Sequence, residues 1–153
     1  EKGWAETLCG FVDNHPKAGK TAAEDVAFRK PTRGPSNQCP WVMTMDLCKK
    51  HKEIDGYVFD PGYVGIGGME DHDICRRQLM IGYVPMICGE SLVDNNGGEG
   101  MGTRSLRDTN PEAFHNRHYW MTKWNIQPHE PWSKGIEEFW KNDPEYACWV
   151  GEK

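Results

Sequence analysis

The chain has 153 residues, with 18 basic against 23 acidic side chains and a formal net charge of -5. That is the size of one domain without the basic footprint of a nucleic-acid binder. Only 37% of the residues are apolar, mean hydropathy is -0.77, and 17 Gly and 10 Pro break the chain into short pieces. No stretch approaches the roughly 20 apolar residues of a membrane-spanning helix. Ordering each residue costs on the order of 1–2 kcal/mol, so so thin a core must be supplemented by cross-links, a metal or a partner.

In chain order, residues 1–38 form an N-terminal segment and linker. An apolar patch runs from Leu8 to Val12, and Thr21 followed by Glu24 reads as a capping box opening a helix over Thr21 to Arg29. The stretch from Lys30 to Gln38 reads as an extended linker. Residues 39–110 are the cysteine-containing middle. There Pro40 fits a first-turn proline, and Trp41, Met45 and Cys48 fall at i, i+4, i+7 with Lys49, Lys50 and Lys52 toward the carboxyl end, predicting a helix over 40–52. Residues 57–59 and 63–66 flank Asp60-Pro61-Gly62 as the arms of a small hairpin. The acids Glu70, Asp71 and Asp73 open a helix carrying Cys75 and Leu79, which ends by Gly82 or Pro85. Residues 94–102, rich in Gly and Asn, read as a flexible or partner-ordered loop.

Residues 111–153 are an aromatic, proline-rich arm, read as two short helices joined by an extended segment. Its tryptophans Trp120, Trp124, Trp132, Trp140 and Trp149 are candidate partner contacts, since Trp gives large buried area at low conformational cost. Folding back on the chain's own domain is the structural alternative. The expected fold class is therefore α+β and loop-rich, one domain over 1–153, with several short helices and at most a small β-hairpin.

The even count of six cysteines, Cys9, Cys39, Cys48, Cys75, Cys88 and Cys148, suggests a disulfide-stapled fold in an oxidising compartment. Cys39 and Cys48, then Cys75 and Cys88, resemble in outline the paired cysteines of the coiled-coil-helix-coiled-coil-helix proteins, accessory subunits of mitochondrial respiratory complexes. The resemblance suggests compartment and role. It would imply that Cys39 or Cys48 pairs with Cys75 or Cys88, leaving Cys9 and Cys148 to tie the ends. The chain begins at Glu1 rather than Met, so a removed targeting segment or a trimmed chain is expected.

The catalytic motifs fail on spacing. Gly19-Lys20-Thr21 ends like a phosphate-binding loop, but the required upstream Gly is Asn14. Ser91 is followed two positions later by Val93, which breaks a nucleophile elbow. His115 and His118, at i, i+3, are weak metal candidates that His72, His129 or Glu130 could complete, although scattered histidines are more often hydrogen-bonded side chains. Glu70, Asp71 and Asp73 could serve acid/base catalysis, but as a helix start they need no such role. No cofactor is implied. The expectation is a non-catalytic accessory subunit of a large assembly on the intermembrane-space or lumenal side of an energy-transducing membrane, with other protein subunits as partners. A secreted disulfide-stapled binding or effector protein is the alternative, and a small secreted hydrolase follows it.

Overall fold

The structure is a computed structural model of the chain, and it describes residues 3–25, 40–65, 68–93, 110–127 and 129. The chain is α+β: four helices and a three-stranded mixed sheet among the described residues. The helices are α1 (Trp4–Asn14), α2 (Met45–Asp55), α3 (Glu70–Met80) and α4 (Pro111–Lys123); the strands are β1 (Ala18–Asp25), β2 (Trp41–Val42) and β3 (Val84–Val93). The strand order is β2-β1-β3, with β2 antiparallel and β3 parallel to β1. The sheet thus exceeds the hairpin expected.

The apolar patch at Leu8 to Val12 is one face of α1. Leu8 and Val12, one turn apart, are both buried, and Pro16 disfavours helix beyond His15. Leu8 packs on Ala23 and Cys88 of the sheet, with Trp4, Phe11, Val42 and Val93 at the margin. On α3, Ile74 and Cys75 pack on Val84, flanked by Met43, Val58, Leu79 and Met86. Each fully buried aliphatic side chain contributes about 1.5–3 kcal/mol, so two clusters of this size make a small core.

The capping box expected at Thr21 does not form, because residues 18–25 are strand. The Thr21 hydroxyl donates to the Gly19 carbonyl at 3.2 Å, and Ala22 and Ala23 pair with Ile87 and Cys88. Lys20 reaches α3 while Ala23 packs on α1, which is the alternation of a strand covered on both faces. Burial between two helices overrides the helix preference of the alanines. Gly19 permits the close approach: a Cβ there would stand 2.5 Å from Gln78 Oε1 and 3.1 Å from the backbone of Val84 and Pro85.

The helix expected over 40–52 starts later, at Met45. Thr44 is its cap, its Oγ1 accepting from the Leu47 amide at 3.2 Å, and a side-chain cap satisfies an amide that a first-turn proline leaves open. Upstream, Trp41–Val42 are strand β2, and the Pro40 carbonyl accepts from the Ala23 amide at 3.0 Å. Gly56 closes α2 at φ 83, a left-handed position that favours glycine.

The hairpin over 57–66 is likewise corrected. The turn forms, with the Tyr63 amide donating to the Asp60 carbonyl at 3.2 Å and the Gly62 amide to Asp60 Oδ1 at 2.8 Å. Its arms are not strands among the described residues, because Tyr57 and Tyr63 are drawn to buried carboxylates instead of to each other. Asn116 of α4 pins the far arm, accepting from the Val64 amide and donating to the carbonyls of Val64 and Gly68 at 2.9–3.1 Å.

α3 starts at its acids and carries Cys75 and Leu79 as expected, ending before Gly82. Pro85 lies in β3, which among the described residues pairs with β1 on one side alone, and the edge of a sheet is where a strand tolerates proline. The segments 26–39, 94–109 and 130–153, which include the expected linker, the glycine-rich loop and most of the aromatic arm, lie outside the described residues.

Candidate functional site

Three helices and the 57–65 turn converge on a buried polar cluster. α3 supplies Asp73 and Arg77, one turn apart, so that Arg77 Nε donates to Asp73 Oδ2 at 2.8 Å. α2 supplies His51 and Asp55 at the same spacing, with His51 Nδ1 3.1 Å from Asp55 Oδ2. α4 supplies Tyr119 and Lys123, again i, i+4, and the turn supplies Tyr57, Asp60 and Tyr63.

Asp73 and Asp60 are the two centres. Asp73 Oδ1 accepts from Tyr63 Oη at 3.1 Å and Trp124 Nε1 at 3.0 Å, and it pairs with Lys123 Nζ at 2.8 Å. Asp60 accepts from the Gly62 amide, from Tyr57 at 3.2 Å, from Tyr119 at 3.0 Å and from Lys123 Nζ at 2.5 Å. The side chains of Asp73 and Asp60 are 1% and 3% exposed. Arg77 also bonds Asp55 Oδ2 at 2.8 Å and the Val58 carbonyl at 2.6 Å, so it ties α3 to α2 and to the start of the turn. Tyr57, Tyr63 and Trp124 present their rings to the Lys123 ammonium at 5.4–5.8 Å, a favourable cation–π arrangement.

Three carboxylates therefore face two permanent cations across α2, α3, α4 and the turn. Burial pushes Asp55 and Asp60 up, but donation from Arg77 and His51 to the first and from Lys123 and Gly62 to the second outweighs it, and both are held below the usual carboxylate value. Burial pulls Lys123 down, yet its bonds to Asp60 and Asp73 leave it above its ordinary value. Tyr63 is pushed up by burial and by the charge of Asp73. His51, fully enclosed, is lowered by burial against the opposing pull of Asp55.

A second buried charge stands apart. Lys20, 0% exposed, pairs with Asp71 of α3 at 2.9 Å and lies 5.0 Å from the Trp41 ring. Its residues are the ones that end like a phosphate-binding loop. They sit within a strand, not on the strand-to-helix turn that would aim amides at a phosphate.

Of the metal candidates, His115 and His118 are both exposed on α4. His115 stacks beside Tyr119, its Nε2 3.1 Å from the Gly62 carbonyl. Among the described residues no three His, Cys, Asp or Glu side chains are grouped to hold a metal. His72 lies edge-on to Trp120, and Glu130 is outside the described residues. Among the acid/base candidates, Asp71 is committed to Lys20 and Asp73 to the cluster.

Trp120 is 1% exposed within the chain's own core, and Trp124 is half-buried with its indole N–H on Asp73. Trp132, Trp140 and Trp149 lie outside the described residues. Cys9, Cys48, Cys75 and Cys88 are free thiols, and Cys39 and Cys148 are outside the described residues. Burial pushes the Cys75 thiol up to about 12; it and Cys88 act as small hydrophobes in the two core clusters.

Sequence reasoning singled out Asp73 as a helix opener and missed Asp55, Asp60, Arg77, His51 and Lys123 as one cluster. The legible signal was the repeated i, i+4 pairing His51/Asp55, Asp73/Arg77 and Tyr119/Lys123, a pattern that exposed helix faces share. Compared with protein-family models, curated proteins and solved structures, the chain matches none.

Proposed function

We propose that the chain is a non-catalytic accessory subunit of a larger protein assembly, binding other subunits through its surface and performing no chemistry of its own. The observation that carries this is the saturation of the buried cluster. A general base needs a lone pair facing substrate, whereas Asp60 and Asp73 accept from one amide, phenols, an indole and two cations of the same chain. The cluster stitches helices together. The surface adds support: Met45, Met80 and Phe114 are 70%, 67% and 62% exposed on three different helices, in a chain whose core is small. Apolar side chains left outside a thin core suit burial against a partner.

The setting proposed with this reading, the intermembrane-space or lumenal side of an energy-transducing membrane, rests on the count of six cysteines. Among the described residues no helix is long and apolar enough to cross a membrane, which suits attachment through other subunits. One observation favours the second reading, a self-sufficient secreted binding module: Trp120 and Trp124 are used inside the chain. Native mass spectrometry of the protein from its source, without reductant, separates the two. A high-mass assembly supports the accessory subunit; a compact monomer overturns it in favour of the self-sufficient binding module.

A further inference from the structure

His51 is 0% exposed and sits at the junction of α2 and α3 with a contradiction built into its ring. Its Nδ1 lies 3.1 Å from Asp55 Oδ2, which only accepts, and 3.2 Å from Arg77 Nη1, which only donates. One proton position satisfies one neighbour and offends the other. With Nδ1 bare, the ring accepts from Arg77. With Nδ1 protonated, it donates to Asp55 and sets its hydrogen against the guanidinium. The other nitrogen, Nε2, is equally enclosed and meets no hydrogen-bond partner among the described residues.

We propose that His51 is a proton-operated latch that holds α2 and the 57–60 turn on α3 while its ring is neutral and lets them go when the ring takes up a proton. Arg77 is the bolt. It bonds Asp55 of α2, Asp73 of its own helix and the Val58 carbonyl of the turn, and Val58 in turn packs against the cluster of Ile74, Cys75 and Val84. An imidazolium beside it places two cations 3.2 Å apart in a fully enclosed site, and Nδ1, now carrying a hydrogen, no longer accepts from Arg77.

The groups facing His51 are Asp55 on α2 and Arg77 and Asp73 on α3. Lys123 and Tyr63, from α4 and the turn, act one step further out through Asp73. The two carboxylates favour the charged ring; enclosure and Arg77 oppose it, and they prevail. The sign follows. A histidine lowered in the folded state binds its proton first in the unfolded chain, so stability is full above the ordinary value of 6.5 and is lost as pH falls below it. One proton per molecule corresponds to about a tenfold fall in the folding equilibrium constant per pH unit.

The test is urea unfolding of the full chain between pH 7.5 and 5 for the natural protein and for His51→Gln, whose amide still accepts from Arg77 but takes no proton. The natural protein is expected to lose stability as pH falls below 6.5, by up to about tenfold in the folding equilibrium constant per pH unit, and H51Q to lose less over the same range. The carboxylates Asp55 and Asp60, held below their ordinary value, titrate outside this window. Equal slopes in the two proteins overturn the latch. If H51Q does not fold, the ring C–H resonances of His51 in the natural protein decide: a midpoint below 6.5 accompanied by movement of the Arg77 Nε–H signal supports it, and a midpoint at or above 6.5, or an unmoved Arg77, overturns it.

Discussion

Replacing Asp73 by asparagine keeps the size of the side chain and removes the charge that Arg77 and Lys123 share. The residue is 1% exposed at its side chain and serves Arg77 Nε, Lys123 Nζ, Tyr63 Oη and Trp124 Nε1. An amide has one oxygen for four donors, and its NH2 must be turned toward at least one of them. Removing one partner of a buried ion pair costs about 3–5 kcal/mol, because the remaining charge is left desolvated. Against a typical total stability of about 5–15 kcal/mol, that is a fifth or more, and for a chain of this length it corresponds to a fall in melting temperature of roughly 6–20 °C. The assay is urea and thermal unfolding of D73N against the natural protein, followed by near-ultraviolet circular dichroism. The comparison is Asp46→Asn, whose partner Lys49 and own side chain are 68% and 90% exposed, and which should change stability by less than about 1 kcal/mol. A loss at Asp73 no larger than at Asp46 would refute the view that the cluster holds the helices together.

Trp120→Ala should cost about 3–5 kcal/mol in urea unfolding, since the indole is 1% exposed; a near-neutral result would mean that α4 is not packed on the chain. Gly10→Ala, where a Cβ meets nothing within 4 Å, should stabilise α1 by about 0.5–1 kcal/mol, while Gly19→Ala should destabilise by roughly 1–3 kcal/mol by driving a methyl into Gln78 and the β3 backbone. Peptide-resolved alkylation of the folded chain should label Cys9 and leave Cys75 and Cys88 unlabelled until denaturant is added. Because Asp55 and Asp60 are held below their ordinary value of 3.8, the stability they contribute is full above that pH and is lost as pH falls below it. Asp60→Asn should flatten that acid limb in a melting series from pH 5 to 2.

What was legible in the sequence was local. The acids Glu70, Asp71 and Asp73 mark the start of α3, and Gly82 marks its end, because capping and dipole effects act within one turn. Before α2 the side-chain cap at Thr44, which the sequence reading passed over, prevails over Pro40, and the helix starts at Met45. β1 was opaque for a different reason. Buried on both faces, it shows no alternation of polar and apolar residues, and Ala22 and Ala23 favour a helix until α1 and α3 enclose them. The polar cluster joins α2, the 57–65 turn and α3, which follow one another in the chain, to the distant α4. Asp60 reads as a turn acid and Lys123 as a helix-end cation, and their meeting at 2.5 Å depends on how α4 lies across the 57–65 turn.

The parallel pairing of β1 with β3 also sets a schedule for synthesis. Ala18 finds its partner only in Val84, and at about 5–20 residues per second the ribosome delivers that partner several seconds later. Until then the central strand of the sheet has an open edge, the state in which strands pair with the wrong neighbour. Lys20 is then its own guard. Its ammonium ends up sealed against Asp71 in the finished protein, but on the nascent chain it is a solvated charge in the middle of an unpaired strand, placed where it discourages another chain from docking first.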